Sequence, residues 1–232
     1  MSISNKNKIL DKMDFFIGSW KTSNDSRQFF LRCYRLMTGN MLDALDKGAF
    51  HDPDWIHTLL HRFADYYFEA LDCYDCGRTT SKVWHEVHLL TAEKELREVQ
   101  YLLMGVNAHI NYDLVLTIYD LLHLEWKELS DSEKLARYQD HCKVNEIIAA
   151  SIDAVQDELL SPSDPFMDWI DQAFGRMDEY LLSKLITNWR QEVWDQACSL
   201  LVISDELERE EIRKKLEASV LKRNKLISLD FF

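Results

Sequence analysis

Apolar residues recur along this chain every three or four positions, which is the spacing of an amphipathic helix. The clearest example follows the sequence HDPDW, where Asp52 is placed to cap a helix and Pro53 to fill its first position. Gly77 predicts the end of this helix. Its apolar stripe consists of Ile56, Leu59, Leu60, Phe63, Tyr67 and Leu71.

The same spacing predicts helices along most of the chain. No stretch alternates for long enough to form a strand, and Ser161–Pro165 is the clearest loop because it holds two of the three prolines. We therefore predict an all-α fold, a single-domain multi-helix bundle over residues 1–232 with a buried central helix. The other expected helices are Arg27–Asp46, one capped by Thr80 or Ser81 and running through Leu90, Ala92 to about Trp126, Ser130 to about Leu160, Phe166 to Val202, and Asp205 to about Leu226.

The central segment, GVNAHINYDL, carries polar residues in the most apolar part of the chain. On a helix, Asn107 and Asn111 share one face, and His109 and Asp113 share another that lies roughly opposite. Two alternatives stay open. The polar residues alternate as they would on a strand, and a helix can also begin only near Ala108, with Gly105 in the turn and Asn107 as the cap. A break near Gly105 is a related expectation.

The spacing of His109 and Asp113 allows two kinds of chemistry. Four residues apart on a helix, the pair can bind one metal ion, or the carboxylate can orient the imidazole for proton transfer. The pair can equally form a hydrogen bond that only ties the central helix to its neighbours. A buried polar group without a partner costs about 1–3 kcal/mol, so some partner is required in every case.

The run LLMGVNAHINYDL resembles the central motif of a bacterial family of helical proteins of unknown function. The resemblance extends over about residues 50–201, and it implies an all-α fold with a buried polar centre but no assigned activity. Other stretches that share it are FADYYFEALD, the helix of Trp84, YQDHCKVNEIIAASIDAVQ with Asp140 and Asn145, and WRQEVW with Arg190 and Trp194.

Two functional hypotheses follow. In the first, the motif lines a pocket of a metal-dependent, hydrolase-like enzyme that acts on a small polar ligand. His109, Asp113 and Asp140 are then the catalytic candidates, and His109 and Asp113 also bind the divalent metal. Residues predicted to position the ligand are Asn107, Asn111, Asn145, Arg190 and Trp194. In the second, the chain is a non-catalytic structural or protein-interaction protein, and the polar cluster locks the core. Arg190 can form an ion pair with Asp113 or Asp140, or bind an anionic ligand.

Other histidines and cysteines give weaker signals. His57 and His61 are four apart on one predicted helix, and His85 and His88 are three apart on the next. Together they can make a zinc site, although a position at the edge of an apolar stripe is the better explanation of His57 and His61. The Cys73–Cys76 pair is a lone CxxC without a second pair.

Charge and composition narrow the set of partners. A net charge of −13 repels nucleic acid and anionic lipid. The apolar run 101–118 contains His109 and Asp113, which oppose membrane insertion, and the N-terminus lacks a signal-like apolar run. Five cysteines fit a reduced, cytoplasmic protein. The C-terminal helix, about 205–226, can pack on the body or on a second copy, so a homo-oligomer is also considered.

Overall fold

The computed structural model describes residues 3–78, 81–93, 96–157 and 179–229, and these residues form helices and turns without a strand. The all-α prediction is therefore confirmed. The helices are α1 (Ile3–Ser23), α2 (Arg27–Asp46), α3 (Pro53–Asp75), α4 (Lys82–Glu93), α5 (Glu98–Ala108), a π-helical segment (His109–Asp113), α6 (Leu114–Leu122), α7 (Asp131–Asp157), α8 (Glu179–Val202) and α9 (Glu206–Ile227).

Local sequence explains where several of these helices begin and end. Asp52 accepts a hydrogen bond from the backbone N–H of Trp55 at 2.9 Å, and Pro53 is the first residue of α3. Asp205 caps α9 in the same way. Gly48 and Gly77 follow α2 and α3 with φ values of +70° and +65°, a left-handed conformation that glycine adopts without strain.

The polypeptide from Glu98 to Leu122 forms one continuous central rod, in which α5, the π-helical segment and α6 follow each other directly. Helices α2, α3, α4, α8 and α9 pack around it, while α1 packs on α2 and α7 lies against α2 and α8. The π-helical segment is closed by a hydrogen bond from the backbone N–H of Leu114 to the carbonyl of His109. Such a turn holds one residue more than an α-helical turn.

Gly105 lets α2 approach the central rod closely. A Cβ atom at this position would lie 2.5 Å from Cγ and 2.8 Å from Cβ of Phe30, distances too short for any side chain. The missing Cβ thus allows the Phe30 ring to enter the core beside the π-helical segment.

Several expectations for the central region are wrong in detail. The helix does not run on from Ala92, since α4 ends at Glu93 and α5 begins at Glu98. The rod passes through Gly105 unbroken, so Asn107 is not a cap and the segment is not a strand. The spacing of apolar residues did not predict the π-helical segment. Its wider turn holds one extra residue, and nothing in the residue types of the segment marks that extra residue. The predicted loop Ser161–Pro165, the start of the Phe166 helix and the alternative cap Thr80 lie outside the described residues.

The C-terminal helix packs on the body of the protein. Leu216 and Val220 of α9 are buried in the same core as the central rod, whereas Leu207 is exposed. Among the described residues, no helix is both long and apolar enough to cross a membrane.

Candidate functional site: a buried His–Asp network

His109 and Asp113 form a direct contact inside the core. The imidazole Nδ1 lies 2.9 Å from Oδ2 of Asp113, and the indole N–H of Trp84 donates to the same oxygen at 2.8 Å. His109 is 3% exposed and Asp113 is 1% exposed, so neither side chain reaches the surface. Trp84 therefore joins α4 to the central rod through this carboxylate.

Aromatic rings enclose the imidazole of His109. The ring of Phe63 is stacked on it, with centroids 3.6 Å apart and planes inclined by only 9°. The Tyr34 ring stands at a steep angle to it, with a centroid distance of 4.3 Å. The remaining rings within 6.2 Å of the imidazole centroid are Phe30, Tyr67 and Trp84.

Burial favours the uncharged forms of both partners. It lowers the pKa of His109 well below its ordinary value of 6.5. It also raises the pKa of Asp113 well above 3.8, although the hydrogen bond from Trp84 opposes this rise. One hydrogen bond joins Nδ1 to Oδ2, and the tautomer of the imidazole sets its direction. The Nε2 atom of His109 is buried and has no hydrogen-bond partner among the described residues.

The two central asparagines bind the C-terminal helix. Asn107 donates its amide to the carbonyl of Val220 at 3.1 Å and to Oδ1 of Asn224 at 2.9 Å. Asn111 donates to Oδ1 of Asn107 at 3.0 Å. These amides therefore use their hydrogen bonds inside the protein, where they dock α9 on the central rod. Their predicted role as ligand-positioning residues finds no support in this geometry.

Asp140 does not join the His109–Asp113 pair. Its two carboxylate oxygens accept hydrogen bonds from the backbone N–H groups of His51 and Asp52, both at 2.8 Å. The side chain is fully buried and anchors the turn before α3 to α7. The prediction that Asp140 faces the central motif is therefore wrong, because unpaired backbone N–H groups elsewhere take up both oxygens.

Arg190, Asn145 and Trp194 form a separate cluster with His141 between α7 and α8. Arg190 donates through Nε to Oδ1 of Asn145 at 2.7 Å and through Nη2 to the carbonyl of His141 at 3.0 Å. The Trp194 ring lies 5.1 Å from the imidazole of His141. Within the described residues no ion pair links Arg190 to Asp113 or Asp140, so that expectation is wrong.

The donors needed for a metal site are not gathered in the described part of the chain. No group of three or more His, Cys, Asp and Glu side chains there is arranged to hold a metal ion. The rings of His57 and His61 do lie 4.4 Å apart, but His85 and His88 contact Tyr74 instead. Cys73 and Cys76 are free thiols. The described residues therefore do not fit a multidentate metal centre.

Several residues of the network were not assigned a role from sequence. Asn224, the partner of Asn107, lies in the apolar stripe of α9, four residues after Val220 and eight after Leu216. A polar residue at such a stripe position was a signal for a buried partner. Trp84 carried no such signal, because tryptophans are common in cores and its N–H donor acts across helices.

A family model matches the chain over residues 7–229, and the chain therefore belongs to the family of unknown function DUF5995. The match is wider than the region of about 50–201 over which the sequence showed its resemblance. No curated protein and no solved structure matches the chain.

Proposed function

We propose that the chain is a non-catalytic helical protein in which the central polar network specifies how the helices pack. The observation that carries this proposal is the closure of the His109–Asp113 pair, with 3% and 1% of the two side chains exposed. The stacked ring of Phe63 occupies one face of the imidazole, where a substrate would otherwise bind. Function would then depend on contacts made at the surface of the bundle.

The protonation states also argue against acid–base chemistry. A general base works best when its pKa is near the working pH. Burial lowers the pKa of His109 well below 6.5, so the neutral ring is a weak base at pH 7. Asp113 does not offset this effect, because burial raises the pKa of its own carboxyl and favours the uncharged acid.

Each arm of the network joins a different helix to the central rod. Trp84 ties α4 to Asp113, and Asn107 ties α9 through Val220 and Asn224. Polar contacts of this kind are directional, whereas apolar packing tolerates shifts in register. The network therefore supports a role in selecting one arrangement of helices.

The five free cysteines are compatible with a reducing compartment such as the cytoplasm.

A second candidate function rests on the unpartnered Nε2 of His109. A carboxylate that holds Nδ1 and leaves Nε2 without a partner is the arrangement of a His–Asp dyad, and π-helical turns are frequent at functional sites. In this alternative the aromatic enclosure opens, and the dyad acts on a small ligand as an enzyme.

Chemical modification of histidines separates the two candidates. Diethyl pyrocarbonate acylates accessible neutral imidazoles, and peptide mass spectrometry reports the rate at each position. His51 and His85 are exposed and serve as reactive internal controls. We expect His109 to react only as fast as the whole protein unfolds. A rate close to that of His85 in the folded protein would show an open pocket and would refute the proposal.

Metal analysis of purified protein, alongside a His109→Ala variant, provides a second test. We expect the variant to be less stable and to contain no less metal than the wild type. A stoichiometric divalent metal in the wild type, lost in a folded variant, would favour the enzyme instead. Asp113→Asn is a useful control, since an amide oxygen at the Oδ2 position can accept from the Trp84 indole N–H and from an N–H at Nδ1 of His109 but carries no acidic proton.

A further inference from the structure

Arg190 is a buried cation whose hydrogen bonds all end on neutral groups. Only 5% of the residue is exposed. Its partners are the side-chain oxygen of Asn145, the carbonyl of His141 and, at 3.4 Å, Nδ1 of His141. Across the described residues, no carboxylate lies within 4.0 Å of the guanidinium, and Nη1 forms no hydrogen bond.

The neighbouring imidazole cannot neutralise this charge. Nε2 of His141 lies 2.9 Å from the carbonyl of Arg190 and must donate to it, because a carbonyl only accepts. Burial and the guanidinium lower the pKa of His141 well below 6.5, so the ring is neutral and its Nδ1 is an acceptor. The cluster therefore keeps a net charge of +1.

Arg190 does not become neutral by losing its proton. Burial lowers the pKa of Arg190 to about 10, which still leaves it charged at neutral pH. Among the described residues, the acidic group that acts to raise this pKa is the thiol of Cys142. A buried charge without a counterion is unfavourable, and Arg27, another cation held partly inside the protein, avoids it by contacting both Asp25 and Asp75 at 2.7 Å.

We infer that Arg190 is the centre of a binding site for a small oxyanion, a carboxylate or a phosphate group, between α7 and α8. The guanidinium offers the two N–H groups of Nη1 as charged donors to the oxygens of such an anion. Asn145 and His141 hold the guanidinium in place. The half-buried Asn145 and the exposed Gln191 place the cluster close to the surface, within reach of a solute. This site shares no residue with the His109 network.

Thermal unfolding in the presence of anions tests this site. Sodium phosphate, sodium acetate and sodium chloride are titrated at constant ionic strength, so that screening is the same in each series. We expect saturable stabilisation by phosphate or acetate, with a rise in Tm of roughly 5–10 °C at a hundredfold excess over Kd, and none by chloride. The anion that saturates at the lower concentration identifies which of the two chemistries the site prefers.

Two variants assign the effect to Arg190. Arg190→Met removes the charge but keeps much of the side-chain volume, and it should weaken the anion response by roughly tenfold or more. Arg35→Met is the matched control, because Arg35 pairs with Asp14 at the surface and lies outside the cluster. Its anion response should equal that of the wild type.

Specific results of these experiments would contradict the proposed anion site. An equal response to all three salts in the wild type, or a full phosphate or acetate response in Arg190→Met, would overturn the site. If Arg190→Met does not fold, Arg190→Lys replaces it, and loss of the rigidly held Nη1 donors should still weaken binding several-fold. A saturable wild-type response that Arg190→Lys leaves unchanged would likewise count against the inference.

Discussion

Gly105→Ala tests how closely α2 approaches the central rod. The added Cβ would lie 2.5 Å from Cγ of Phe30, whereas ordinary contacts begin at 3.4 Å, so the two helices must separate or the ring must move by about 0.9 Å. The Cβ of Phe30 is also too close, at 2.8 Å, so turning the ring alone cannot relieve the contact.

The expected loss combines two opposing effects. Overpacking a core of this kind destabilises by about 1–3 kcal/mol, while replacing glycine by alanine inside a helix stabilises by up to about 1 kcal/mol. Gly39→Ala in α2 isolates the second effect, because a Cβ there meets nothing within 4 Å. The difference in unfolding free energy between the two variants should therefore be about 1–3 kcal/mol, with Gly105→Ala the less stable.

Urea unfolding followed by circular dichroism measures this difference, and Tm should follow at roughly 2–4 °C per kcal/mol for a chain of this size. A Phe30→Leu substitution should be less harmful when combined with Gly105→Ala than in the wild type, since it removes part of the clash. If Gly105→Ala proves as stable as Gly39→Ala, the close approach of Phe30 to the central rod is wrong, and so is the contribution of Phe30 to the enclosure of His109.

Three further predictions concern the buried polar groups. Asp140→Asn should lose about 1–3 kcal/mol of unfolding free energy, because an amide can accept from only one of the two backbone N–H groups before α3; equal urea midpoints would contradict this. Trp84→Phe should lose a similar amount by leaving Asp113 without its indole donor, and an unchanged midpoint would argue against that bond. Burial lowers the pKa of His88 to about 3, so the unfolded chain takes up a proton below pH 6.5 and the folded protein does not. Stability should therefore fall between pH 6.5 and 3, and His88→Leu should reduce this slope by up to about 1.4 kcal/mol per pH unit; parallel pH curves would speak against it.

At the candidate site, one contact could be predicted from the sequence and the roles of two residues could not. The contact between His109 and Asp113 followed from their spacing, because both lie on one rod. The roles of Asp140 and Arg190 did not follow, although both residues are buried as a polar site would require. Burial of a polar residue can be anticipated from its apolar surroundings, but its partner depends on which helices meet.

The sequence by itself determined the all-α fold, the start of α3 with its cap at Asp52, and the burial of the central segment. These features depend on interactions between residues a few positions apart, which periodicity and capping chemistry record. The tertiary structure alone decided the polar partners. Trp84 and Asp113 are 29 residues apart, His51 and Asp140 are 89 apart, and Asn107 and Asn224 are 117 apart. Such pairs form only when the helices pack, because a hydrogen bond acts over about 3 Å and nothing in the local sequence specifies which distant group will come within that range.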